Sequence, residues 1–183
     1  MSWNNKVVWS EGMFLQPQHF QQHDRYLEAL LDDRARPLRS YGWGFSELQI
    51  DDQALSLGKL SLQSCRAILP DGTPITLPAN DELPEPLEIA SDVRDALVVL
   101  ALPMRRAGSA EIQSDGATEP LARYSVQEFE ARDNNADSQA SALMQLGKLR
   151  LRLALESDVA NAYTSLGVAR IVERRADNQV VLD

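Results

Sequence analysis

His19 and His23 are the two histidines of the sequence and stand four residues apart. On a helix that spacing puts both imidazoles on one face, within reach of a single metal ion. A metal centre needs a third and fourth ligand, and a hydrolytic one needs a general base as well. Phe20 and Gln21 stand where a zinc-protease helix carries its glutamate. The pair is therefore read as a polar helix face that hydrogen-bonds within the domain or at an interface, and neither a metal nor a cofactor is expected. Cys65 lies inside an apolar, strand-like stretch, the setting of a small buried residue more than of a nucleophile. No serine sits in a Gly-x-Ser-x-Gly elbow and there is no glycine-rich phosphate loop. The acidic pairs Asp32-Asp33, Asp51-Asp52 and Asp81-Glu82 fall at a helix end, a turn and a loop, where solvated carboxylates are the rule. No catalytic residues emerge, and the chain is not expected to be an enzyme.

The histidines are positioned by a strand-turn-helix unit over residues 5–36. Val7-Val8-Trp9 reads as a short apolar strand, Glu11-Gly12 breaks it, Met13-Phe14-Leu15 follows, and Pro17 opens a helix. Proline suits the first helical turn because the amide hydrogen it lacks has no partner there, and it pushes Gln16 to extended geometry. Pro37 predicts the end near Arg36, with Arg34, Arg36 and Arg39 where the negative end of the helix dipole favours cations. The helix is then about 30 Å long. Phe20, Leu27 and Leu31 form one row, with His23, Leu30 and Arg34 beside it, so the helix is one-sided.

Residues 41–183 read as about nine or ten short strands with no βαβ alternation and no repeat. Glu47 to Ile50 is a strand, Asp51-Asp52 a turn, and Ala54 to Leu69 an imperfectly alternating strand region with a bulge or break at Gly58. Pro70-Asp71-Gly72 is a turn that makes residues 66 to 77 a hairpin. Residues 78–86 form a proline-rich surface loop and Leu87 to Ile89 a short edge strand. Ala96 to Leu102 is continuously apolar, which predicts a strand buried on both faces or central in a sandwich. Arg105 to Pro120 is a polar insertion expected to be mobile, and Arg132 to Ser141 a second polar loop. Tyr124 to Ala131 alternates, and Gly147 to Glu156 alternates with a period of two that predicts one continuous strand. Val168 to Val172 and Val180 to Leu182 flank a hairpin turn at Asp177-Asn178. The predicted fold is mainly β: a β-sandwich over 41–183 with one N-terminal α-helix packed on it, in a single domain over 1–183. A strand that runs to Asp183 predicts that more chain follows.

A chain of 183 residues can bury a core without disulfides, and its single cysteine permits none within the chain. The net charge of -9, with no basic cluster beyond Arg174-Arg175, argues against nucleic acid and for protein partners. The opening residues hold no apolar run of signal-peptide length, and no window reaches the ~18 to 20 apolar residues of a membrane span. A cytoplasmic location without membrane insertion is expected.

Trp9, Glu11-Gly12-Met13-Phe14-Leu15 and Pro17-Gln18-His19-Phe20-Gln21-Gln22 closely resemble the opening signature of the TssK family, trimeric baseplate subunits of the bacterial type VI secretion system. Leu149 to Glu156 and Leu166 to Glu173 are similar to the same family, so the resemblance covers nearly the whole chain. It implies a β-sandwich shoulder like that of siphophage receptor-binding proteins. It also implies a non-catalytic adaptor whose N-terminal domain attaches to the TssF/TssG wedge. A helical neck and a C-terminal head, absent from these residues, would link the homotrimer to the membrane complex through TssL and TssM, in a cytoplasmic baseplate docked at the inner membrane. Trp9, Glu11, Met13, Phe14, Leu15, Pro17, His19 and Phe20 are then the expected partner-binding residues. From the residues alone, Met13-Phe14-Leu15 either plugs the domain's own core or forms an apolar docking patch with the aromatic and methionine bias of interface centres. A receptor- or carbohydrate-binding sandwich, with Tyr41 and Trp43 as the stacking aromatics, is the alternative.

Overall fold

Proline and glycine punctuation decides where the elements of the computed structural model begin and end. The structure describes residues 3–38, 40–113, 119–135, 140–159 and 161–183. The chain divides into two compact units, Met1–Trp43 and Gly44–Asp183. In the first, α1 spans Pro17–Ala35 and runs into a single 3-10 turn, Arg36–Leu38. Its start follows from Pro17 and from Gln16, which holds the extended geometry that a following proline imposes (φ -132°, ψ 157°). Its end carries Arg34 in the last turn and an Arg36–Asp32 ion pair at 2.8 Å. Arg39 lies outside the described residues, as do 114–118 and 136–139 of the two polar segments. Residues 7–9 are not a strand. Extended chain becomes a strand only by pairing, and here the Gln22 side-chain amide, not a neighbouring strand, meets the carbonyls of Trp3 and Asn5.

The second unit contains β1 (Gly44–Ile50), α2 (Asp52–Ser56), β2 (Lys59–Leu60), β3 (Leu62–Ile68), β4 (Pro74–Leu77), β5 (Leu87–Glu88), β6 (Arg94–Pro103) and β7 (Ile112–Gln113). After these come β8 (Tyr124–Arg132), β9 (Ser141–Leu149), β10 (Arg152–Leu155), β11 (Tyr163–Arg174) and β12 (Val180–Leu182). A sheet ordered β1-β3-β4 and a sheet ordered β10-β6-β11-β12 share one core, with β2-β5 and β7-β8-β9 as smaller sheets. The core takes Leu62, Cys65, Ala67, Ile75 and Leu77 from the first sheet and Val98, Leu100, Leu102, Leu153, Leu166, Ile171 and Val180 from the second. Each such aliphatic side chain is worth about 1.5–3 kcal/mol when fully buried. The predicted mainly β sandwich is this pair of sheets.

The continuous apolar run became β6, central between β10 and β11, and Val99 and Ala101 are buried on the face opposite Val98, Leu100 and Leu102. The Pro70-Asp71-Gly72 turn joins β3 to β4: Gly72 has a φ of 86° and its N–H donates to Leu69 C=O. Asn178, at φ 72°, makes the β11–β12 turn. Gly58, at φ 79°, is required twice over, since a Cβ there would lie 2.8 Å from the Arg174 guanidinium.

Three expectations need correction. Residues 52–56 are the one-turn helix α2 and not strand, because the Asp51 carboxylate accepts the Gln53 N–H and caps it. The polar insertion contains β7, which pairs parallel with Tyr124-Ser125. The alternation from Gly147 to Glu156 is not one strand: β9 pairs with β8, β10 with β6, and the chain changes sheets at Arg150-Leu151. A strand that switches sheets keeps its alternation, so the switch leaves no trace in the pattern.

Arg123 is 1 % exposed. Its Nη1 donates to Pro103 C=O at 2.6 Å, and its Nη2 to Asp71 Oδ2 at 2.9 Å and to Thr73 Oγ1. Arg123→Met keeps the stem and removes the guanidinium, leaving those acceptors behind. It should cost about 3 kcal/mol in urea unfolding; a loss under about 1 kcal/mol would equate the network with an exposed ion pair. Cys65 is 2 % exposed, and burial raises its thiol above its ordinary pKa. The folded state then holds the thiol proton more tightly than the unfolded state. The stabilisation is complete below the unfolded thiol's pKa and falls as pH rises through and beyond it. A thiol probe should label the unfolded chain promptly and the folded chain slowly, and unfolding free energy should decline above about pH 8.5.

Candidate docking surface

The first unit is built on Trp9. Its indole lies against the first turns of α1, with ring centroids 6.3 Å from His19, 6.3 Å from Phe20 and 5.9 Å from His23. The i, i+4 spacing of the histidines therefore serves to seat an aromatic ring. His19 Nδ1 accepts the Gln16 N–H at 3.0 Å and closes the entry to the helix. His23 Nδ1 is buried without a hydrogen-bond partner. Among the described residues no group of three or more His, Cys, Asp or Glu side chains could hold a metal ion.

Between Trp9 and the helix the chain reverses. Met13 N–H donates to Ser10 C=O at 3.2 Å across Glu11-Gly12, and Gly12 takes a φ of 77° that a residue with a Cβ rarely adopts. This turn leaves Met13 half-buried, Phe14 83 % exposed and Leu15 53 % exposed, with Glu11 and Pro17 also exposed. Of the eight expected site residues, Trp9, His19 and Phe20 come together in one ring cluster, Pro17 starts the helix beneath it, and Glu11, Met13, Phe14 and Leu15 form the turn and the strip that follows.

Sequence reading missed the second anchor of this segment. Gln22 Nε2 donates to Trp3 C=O at 2.9 Å and to Asn5 C=O at 2.8 Å, while its Oε1 accepts from Arg25 Nε and Nη2. The Arg25 guanidinium sits 4.4 Å from the Trp3 ring centroid. The available signal was the row His19, Gln22, His23, which offers polar groups on the face that Trp9 covers. The alternative aromatic pair, Tyr41 and Trp43, meets edge to face at 71°, and so presents no flat two-ring platform.

No helix among the described residues is long and apolar enough to cross a membrane. A family model described as bacterial type VI secretion, EvfL, ImpJ, VasE, matches residues 19–183. The type VI secretion system baseplate component TssK1 of Pseudomonas aeruginosa is 51% identical over 183 residues, which is 100% of this chain and 41% of that protein. A crystal structure of TssK superposes with a TM-score of 0.92 at 44% identity, covering 98% of this chain and 41% of that one. A cryo-electron microscopy structure of a type VI TssK-TssF-TssG baseplate subcomplex gives a TM-score of 0.84 at 27% identity over 98% of this chain and 60% of that one. The chain thus spans about two fifths of the length of the curated relative it matches, and with a family model covering 19–183 and half its residues shared with TssK1, it belongs to the TssK family of type VI secretion baseplate components.

Proposed function

We propose that this chain is the shoulder of a TssK adaptor: a rigid sandwich that carries no reaction and attaches a trimeric subunit to the TssF/TssG wedge, in a cytoplasmic baseplate. The neck and head of the family, beyond these residues, would complete the link to TssL and TssM. The observation that carries the reading is the strip Met13-Phe14-Leu15. It is held outward by a turn whose ends are fixed by the Trp9 cluster on one side and the first turn of α1 on the other. An aromatic side chain 83 % exposed next to a rigid anchor has the character of an interface hot spot, because little entropy is lost when it is buried by a partner. The relative solved with TssF and TssG shares the fold over 98% of this chain. With a net charge of -9, contacts rest on shape and apolar burial, and repeated copies in a trimer add avidity to a weak single site.

Binding to a purified TssF-TssG subcomplex, read by light scattering after size exclusion and by titration, tests this. Phe14→Ala should weaken the complex about tenfold or more, which is about 1.4 kcal/mol, and Met13→Ala less, with circular dichroism unchanged. An unfolded Phe14→Ala protein would return the strip to the core, and undiminished binding would remove it from the docking surface. Trp9→Ala should speed amide hydrogen exchange over residues 5–15 and weaken binding as well, since the turn loses its seat. Unchanged exchange would show that the ring cluster does not hold the strip.

A further inference from the structure

The β8–β9 ribbon leaves one long edge open. Its ladder runs from Tyr124↔Leu149 to Arg132↔Ser141 without a register shift, and among the described residues no strand pairs with the far side of β9. The direction of the backbone groups is fixed by three bonds. Leu149 N–H turns away from β8 to Asp81 Oδ1 at 2.9 Å. Arg150 N–H donates inward to Arg123 C=O, and Ala140 C=O accepts inward from Asp133 N–H. Even-numbered residues therefore bond to β8, and Ser141, Leu143, Gln145 and Gly147 direct their N–H and C=O groups to the open edge. Protected edges carry proline, a bulge or charge; residues 141–147 carry none of these, and Ser141 to Gln145 are exposed.

A second observation concerns the faces. Gln127, Phe129 and Ala131 stand opposite Leu146, Met144 and Ala142, so one face of the ribbon is uncharged and largely apolar. Phe129 is 48 % and Met144 41 % exposed. A two-stranded ribbon open on both sides is marginal in water, whereas three or more strands sharing an apolar face are stable.

We propose that β9 pairs antiparallel with β9 of a second copy of this chain, with the two-fold axis at Met144. That register sets Leu143 opposite Gln145 of the second copy and Ser141 opposite its Gly147. Outward-facing residues meet outward-facing residues and each pair exchanges two N–H···O bonds. Met144 meets its own counterpart in the close, non-hydrogen-bonded position, and the apolar faces of the two ribbons join in a four-stranded sheet. Charge selects a second copy: a chain of net charge -9 repels itself over most of its surface, yet 141–147 is uncharged and this register sets no acid against an acid. The contact is two-fold and needs neither a trimer nor a wedge partner.

Light scattering of this chain over a wide concentration range should show the mass rising from 20.4 kDa towards twice that value. Gln145→Pro removes an outward N–H and leaves the β8 ladder intact, so it should hold the mass at 20.4 kDa with unchanged circular dichroism. Met144→Cys in a Cys65→Ala background should oxidise to a covalent dimer, the two Cβ atoms standing about 4.5–5.5 Å apart. If Gln145→Pro fails to fold, the cross-link of the Met144→Cys protein decides alone. A monomer at every concentration overturns the proposal, as does an oligomer that survives Gln145→Pro, or a Met144→Cys protein that does not cross-link.

Discussion

A guanidinium in the interior of a small sandwich is tolerated only when its donors find acceptors, because an unpaired buried charge costs several kcal/mol. Arg123 meets that condition with groups from separate elements: Pro103 at the end of β6, and Asp71 and Thr73 in the turn between β3 and β4. Its main chain is also used, with its N–H donated to Glu111 C=O and its C=O accepting the Arg150 N–H. One residue at the foot of β8 thus fixes a turn of one sheet, the end of the central strand of the other, and both neighbours of the ribbon. The side chain of Asp71 serves two ends as well, since its Oδ1 accepts the Thr73 N–H and shapes the turn that presents Oδ2 to Arg123.

The parts legible in the sequence were those governed by local chemistry. Pro17 and Pro37 bracket α1, Pro70-Asp71-Gly72 and Asp177-Asn178 are turns, and the run from Ala96 to Leu102 lies inside the central strand. What stayed hidden was non-local. Nothing in the spacing of Arg123 announces a buried arginine, because its partners stand 20 to 52 positions away. The sheet change at Arg150-Leu151 preserves the period of two and so looks like continuity. Residues 7–9 have strand composition but no strand to pair with, and α2 is set by one capping carboxylate where apolar alternation suggested an extended chain.

The docking region shows the same division. Pattern alone picked out Trp9, His19 and Phe20, and the structure joins their rings in one cluster. The role of the histidine pair was readable only in part, because i, i+4 spacing serves a metal and an aromatic ring equally well. Gln22 and Arg25 were invisible as anchors since their partners, the Trp3 ring and the carbonyls of Trp3 and Asn5, lie on a segment without regular structure. Rigidity in that segment comes from side chains laid on a helix, not from a backbone ladder.

The two-residue passage from β9 to β10 has a mechanical consequence. The ribbon is not hung on a flexible loop: its second strand runs through Arg150-Leu151 directly into a strand hydrogen-bonded to β6. At the passage, Arg150 is held by its N–H to Arg123 and by its Nη1 to the carbonyls of Glu119 and Ala122. A pull along β9 therefore reaches the middle of the sandwich as shear between β10 and β6, where several bonds must yield together. Tension applied at the tip is carried through the body of the fold without first uncoiling slack.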